Sequence, residues 1–274
     1  MSTQTAPSAV TSVELTQAHI VANTRLQQIV AAAAAAAWDA LGSYDEEDVA
    51  VFLARIVPVI LAAQRQSVNL TVAFLSRAID RPIAPPNFEL LVGEAIRSVT
   101  PDVIAASQKG GLALAPDATG VPPEVVYRRP FVGVWSDLAD RKPWQQAVDA
   151  GRERVAGAAA FDVQNSMRHT LRVVGGTEDL ILGFRRVPNP DACDLCKLVA
   201  GRRYLTHELL PIHTRCRCSV AVVTRENRAE FFGKRDNDLD LVVTPDGLQP
   251  ATVEHGEVGS LLVDGSDHFT QIAA

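Results

Sequence analysis

All four cysteines of this 274-residue chain fall between positions 193 and 218. They read Cys193-Asp194-Leu195-Cys196 and, after sixteen intervening residues, His213-Thr214-Arg215-Cys216-Arg217-Cys218. A CxxC pair on a tight turn converges two soft thiolates, and a downstream HxxCxC cluster can supply the remaining ligands of a tetrahedral zinc site. The metal would then fold a segment too poor in apolar bulk to hold itself. Five donors compete for four places. Cys216 and Cys218 are two apart, so on a strand they point to opposite faces and only one faces the metal. The expected set is Cys193, Cys196, His213 and Cys216, with Cys218 as the substitute.

Two other chemistries fit the same residues. The cysteines can form one or two disulfides or stay reduced, as thiols made in a cytosol do. A nucleophilic cysteine with His213 or His207 as its base needs one activated thiolate, not four. A zinc- or cysteine-dependent hydrolase would use His213 or Glu208 as acid or base beside an open metal position. The sequence contains no GxSxG elbow and no HExxH helix. A structural site, and no catalytic residue, is the expectation.

Charge is distributed in blocks. The net charge of −6 is mild and predicts no nucleic-acid partner by itself. Residues 166–235 nevertheless hold thirteen Lys and Arg against seven Asp and Glu, whereas residues 236–274 hold eight acids and no base. A basic module is followed by an acidic tail. Residues 1–12 are Ser, Thr, Ala and Pro-rich and lack the basic start and apolar stretch of a signal peptide. The longest apolar stretch, residues 29–38, is about half of the roughly twenty residues a membrane span requires, so no membrane partner is expected.

The helical periodicity is strongest early. Ser12 can cap a helix that runs through the alanine tract of residues 31–37 to Gly42. Ser43 followed by Asp45, Glu46 and Glu47 starts a second helix reaching about Ile79, with Pro58 expected to kink it. A third helix is predicted over residues 88–98. The expected organisation is a disordered N-terminus (1–12), a helical arm (13–108), a Gly- and Pro-bearing linker (109–123), a second domain (124–235) and an extended acidic tail (236–274). Within the second domain, helices over residues 124–139 and 143–172 precede strands at 180–187, 202–205 and 218–224, which frame a Cys-rich module at residues 180–224. The fold class is α+β, mostly α.

Several of these residues resemble one family. Arg129-Pro130-Phe131 with Trp135, Ala147-Val148, Gly151-Arg152, Phe184-Arg185-Arg186-Val187, the CxxC pair, Arg203-Tyr204, Leu209-Leu210-Pro211-Ile212-His213 and Cys216-Arg217-Cys218 together resemble the MuF-like minor head proteins of tailed bacteriophages, the phage head morphogenesis proteins. The resemblance spans residues 128–224, and its core is CxxC with a downstream PxHxxCxC. It implies a minor capsid component made in the host cytoplasm and carried in the virion, inside the head near the portal. It implies the portal protein as partner, with the major capsid or scaffold protein and packaged DNA as further contacts. Its role would lie in head assembly, DNA packaging or ejection. Some members of that family are labelled capsid maturation proteases.

Partner contact is expected from Arg185, Arg186, Arg202, Arg203, Arg215 and Arg217, which give the module its positive charge. Only Tyr204 and Phe184 are placed to stack on bases. A zinc-ribbon DNA-binding protein is the remaining reading, opposed by the net negative charge and the lack of a recognition helix.

Overall fold

The computed structural model describes residues 12–84, 123–188, 203–205, 219–228, 251–255 and 259–263. Among them are four helices: α1 (Ser12–Asp39), α2 (Glu46–Ala78), α3 (Pro123–Ala139) and α4 (Trp144–Thr177). The strands are β1 (Gly183–Val187), β2 (Arg203–Tyr204), β3 (Ser219–Val223), β4 (Ala251–His255) and β5 (Gly259–Val263). The chain is α+β and mostly helical.

Local chemistry explains the helix ends. Asp45, not Ser43, is the N-cap of α2, and its carboxylate accepts the N–H groups of Glu47 and Asp48 at 2.9 and 3.0 Å. The Ser43 hydroxyl instead faces the Oδ2 atoms of Asp45 and Asp48, at 2.9 and 3.2 Å. Asp48 reaches back, its Oδ2 accepting from the backbone of Gly42, Ser43 and Tyr44 at 3.1, 2.8 and 2.7 Å. These bonds hold Tyr44 in the left-handed region at φ 56°, which costs an L-residue about 1 kcal/mol. Pro58 lies inside α2, which continues through it. The Ala54 carbonyl that loses its donor there belongs to an exposed residue, so water can satisfy it.

Helix α4 runs five residues beyond the expected end at Arg172. Val174 and Gly175 are buried in packing, which overrides the poor helix propensity of glycine. Strand β1 therefore begins at Gly183 and not at Leu180, because Glu178 to Ile181 form a turn closed by Ile181 N–H to the Glu178 carbonyl at 3.1 Å. The predicted strands at 202–205 and 218–224 are present at Arg203–Tyr204 and Ser219–Val223. The predicted helix at 88–98 and the Cys-rich turn lie outside the described residues. Within the expected tail, β4 and β5 form an antiparallel hairpin pairing Ala251 with Val263 and His255 with Gly259.

Helix α4 is the centre of the bundle. From Phe161 to Leu171 it is buried on nearly every side, as expected of a helix enclosed by α1, α2 and α3. Two apolar cores stack along it. The first joins Leu26, Val30, Ala34, Ala37 and Trp38 of α1 to Phe52, Ile56 and Ile60 of α2, Phe131 of α3 and Val155 of α4. The small side chains of the alanine tract let α1 approach its neighbours closely. The second core joins Val68, Phe74 and Leu75 of α2 and Met167 and Leu171 of α4 to Phe184, Tyr204, Val220 and Val222 of the sheet. The helices expected to form a separate arm thus share their buried faces with α3 and α4.

Candidate functional site

In the three-stranded sheet, β1 lies between β2 and β3 and is antiparallel to both. Its register with β3 runs from Gly183↔Val223 to Val187↔Ser219, and Leu182 N–H extends the ladder to the Val223 carbonyl at 2.8 Å. On the other side Phe184 pairs with Tyr204 and Arg185 with Arg203. Beyond β3, Asn227 locks the turn. Its side chain accepts from Thr224 N–H at 2.8 Å and donates to the Val222 carbonyl at 2.9 Å.

Register decides which arginines face out. Phe184 and Arg186 are two apart and share the buried face of β1, so Arg186 is only 2% exposed. Its guanidinium carbon sits 4.5 Å from the centroid of the Tyr204 ring, a cation–π contact in a desolvated setting. A partner contact was expected at Arg186; here its guanidinium is buried under the sheet and not on its surface. Arg185 projects to the opposite face and is half-buried. The backbone of Arg203 pairs with it. Arg202, Arg215 and Arg217 lie outside the described residues, as do Cys193, Cys196, His207, Glu208, His213, Cys216 and Cys218. Among the described residues no group of three or more His, Cys, Asp or Glu is arranged to hold a metal ion.

A polar layer that the sequence reading did not single out separates the two cores. Thr16, His19, Asn23 and Gln27 recur along the inward face of α1, and all four are buried. Ser67 donates to Asn23 Oδ1 at 2.9 Å and lies 3.0 Å from the Val163 carbonyl of α4, while Asn23 donates to the His19 carbonyl. His19 Nε2 is 3.3 Å from the Thr71 hydroxyl, which donates to the Ser67 carbonyl at 2.7 Å. The His19 ring stacks on Phe74 with centroids 4.2 Å apart. Burial pushes His19 down to about 4 from its usual 6.5, because a charged imidazole there loses its water. The legible signal was polar residues at helical spacing where an apolar stripe was expected.

A second buried polar contact lies near the other core. The Tyr127 hydroxyl donates to Asp162 Oδ2 at 2.6 Å, and both residues are buried. At that end an aromatic cluster of Trp38, Tyr44, Phe52 and Phe131 closes the bundle, with tilted and edge contacts of 4.6 to 6.3 Å. Trp38 Nε1 donates to the Val148 carbonyl at 3.1 Å, and Trp135 Nε1 donates to the Tyr44 carbonyl at 2.7 Å.

A cavity of about 370 Å³ opens where the start of α1, the end of α2 and the turn after β3 meet. Its wall combines Leu15, Phe74, Leu180 and Val222 with the charged Arg77 and Glu226. The Thr224 hydroxyl holds Glu226 below the usual carboxylate range. Among the described residues no helix is long and apolar enough to cross a membrane.

Residues 134–239 match the family model of the VG15 protein, a phage-associated family of viral proteins. The matched stretch starts at Val134 in α3 and takes in α4, the whole three-stranded sheet and all four cysteines. No curated protein and no solved structure matches the chain.

Proposed function

We propose that this chain is a minor capsid protein of a tailed bacteriophage, associated with the portal inside the head, with a structural role in head assembly, DNA packaging or ejection. The observation that carries this reading is the phage-associated family match, which at residues 134–239 overlaps most of the stretch, 128–224, whose motifs resemble MuF-like head morphogenesis proteins.

Within that reading the cysteine segment is a zinc-bound clasp. Strand topology supports it. The end of β1 and the start of β3 are register partners, Val187 opposite Ser219, and β2 runs antiparallel to β1, so it enters the sheet from that same end. The chain before Cys193 therefore departs, and the chain after Cys218 arrives, at adjacent points of one sheet. Cys193, Cys196, His213 and Cys216, with Cys218 as substitute, are soft and borderline donors of the type that suits tetrahedral zinc. Bound there, the ion would supply cross-linking and no chemistry on a substrate. Its effect would be to hold the two loops at the Val187 end of the sheet, keeping β1, β2 and β3 in register. Arg185, Arg202, Arg203, Arg215 and Arg217 would then offer positive charge to an acidic portal surface, a capsid or scaffold protein, or packaged DNA.

The test is co-sedimentation of the full-length chain with purified portal protein, with zinc measured on the same material. Portal association at about one zinc per chain is the expected result. A zinc-loaded chain that neither binds portal protein nor enters particles would refute the proposal.

A further inference from the structure

Helix α1 is anchored unevenly. Its second half is locked in the first core by Leu26, Val30, Ala34, Ala37 and Trp38. In its first half, Leu15 is only partly buried against the second core, and Ile20, though buried, belongs to neither core. What meets α2 there is mostly the polar layer, the His19–Thr71 contact and the Asn23–Ser67 bond, together with the stack of the His19 ring on Phe74. Beneath Ser12, Leu15 and Thr16 lies the 370 Å³ cavity, so this end of the helix covers space where the rest covers packed side chains. His19 Nδ1 is also buried with no hydrogen-bond partner, which leaves a donor or acceptor unsatisfied in the closed state.

We propose that the first three turns of α1, Ser12 to Asn23, form a hinged cover that opens as a unit at the Asn23–Ser67 layer. Opening uncovers the cavity and its apolar wall of Phe74, Ile79, Leu180 and Val222. The second half of α1 stays in place. Local opening below the global unfolding free energy is expected where buried apolar contacts are sparse. His19 makes the motion proton-sensitive, since opening returns its ring to water. Charged groups on the surrounding elements include Glu14 and Arg25 on α1, Arg65 and Arg77 on α2 with Asp80 just after it, Asp162, Arg168 and Arg172 on α4, and Arg225 and Glu226 after β3. Burial is the cause of the lowered His19 value, so these groups do not compensate a charge on its ring.

The sign follows from linkage. The imidazole binds its proton more readily in the open state, near 6.5, than in the closed state, near 4. Lowering the pH from 7.5 to 5 therefore raises the opening constant about thirtyfold.

Hydrogen–deuterium exchange on the full-length chain, corrected for intrinsic rates, tests the cover. At pH 7.5 the amides of residues 16–23 are expected to exchange about tenfold or more faster than those of residues 30–38. At pH 5 that gap widens by the same thirtyfold, and in His19→Phe the widening disappears. Equal protection of the two halves overturns the proposal, and so does a pH response that survives in His19→Phe. Should His19→Phe also lose protection at residues 30–38, Thr71→Val serves instead, since it removes the partner of Nε2 and leaves the ring. Faster exchange confined to residues 16–23 supports the cover, and unchanged exchange there overturns it.

Discussion

Gly151 of α4 lies against the six-membered ring of Trp38 so closely that a Cβ added at Gly151 would fall inside contact distance of Trp38 Cζ2. It would also lie 2.9 Å from Trp38 Cη2 and 3.1 Å from Val134 Cγ2. The indole is fully buried and tied through Nε1 to the Val148 carbonyl one turn earlier in α4, so it cannot swing aside without breaking that bond. Gly151→Ala should therefore destabilise the chain by about 2 kcal/mol through overpacking, even though alanine is the better helix former. A urea midpoint equal to or above that of the parent chain would show that the bundle can move apart here. Trp38→Ala should cost more, about 3–5 kcal/mol, because it leaves a large cavity.

Asp48 makes a different kind of prediction. Partial burial raises its carboxyl, but the backbone N–H groups of Ser43, Tyr44 and Gly42 and the Ser43 hydroxyl outweigh that and hold it below the usual carboxylate range. A group depressed in the folded state contributes stability above its unfolded value, and that contribution is lost as the pH falls through the folded one. Asp48→Ala should lower stability by about 1 kcal/mol at pH 7, with the difference shrinking towards zero near pH 2. Thermal melts of both chains from pH 2 to 7 would reveal it, and a gap that stays constant across that range would exclude the carboxylate as its source.

Much of this frame is legible in the sequence. The Asp45–Glu46–Glu47 run marked a helix start, because caps and dipole-facing acids act within one turn of chain. The strand at β3 was readable because Val220 to Val223 is a short apolar run rich in β-branched residues. Two things were not readable. The end of α4 depends on Val174 and Gly175 finding a core made by α2 and the sheet, which is information from far away in sequence. The fate of Arg186 depends on strand register: one residue of slip would put Arg185 on the buried face instead. The polar layer was written in Thr16, His19, Asn23 and Gln27, yet their role emerges only when Ser67, Thr71 and the Val163 carbonyl are set opposite them.

Tyr127 and Asp162 form a buried pair, and removing the phenolic hydroxyl leaves one carboxyl oxygen without that donor. Tyr127→Phe keeps the ring in the first core and deletes only this bond. A cost of about 1.5–3 kcal/mol is expected, the range for a hydrogen bond to a charged or strongly polar partner in a desolvated place. Chemical denaturation measures it directly. A neutral result would mean that water or a shifted neighbour takes over the role.

Burial of Arg186 separates stability from binding. Arg186→Met retains the aliphatic stem and loses the guanidinium over Tyr204, so it should destabilise the chain by about 1–2 kcal/mol. The salt dependence of any portal or DNA association should remain that of the parent chain. Arg185→Met, at the half-buried neighbouring position, should reverse the pattern: little change in the denaturation midpoint and a smaller salt slope, by about one ion, if DNA is the partner. A weaker salt slope in Arg186→Met would mean that the sheet rearranges on binding and exposes that guanidinium.

The donor set of the proposed zinc clasp can be resolved by substituting its sulfurs singly. Cys193→Ser, Cys196→Ser and Cys216→Ser should each reduce bound zinc well below one equivalent, whereas Cys218→Ser should retain it, because positions 216 and 218 alternate in direction on an extended chain. Since metal binding at a structural site is folding free energy, loss of zinc should raise amide exchange in β1 and β3 first. The amides of residues 30–38, held by Trp38 and the first core, should keep their protection. Retention in Cys216→Ser with loss in Cys218→Ser would exchange the roles of those two residues and leave the clasp standing. Intact mass showing two fewer hydrogens per cysteine pair in the zinc-free parent chain, with no zinc at any stage of purification, would replace the metal with disulfides.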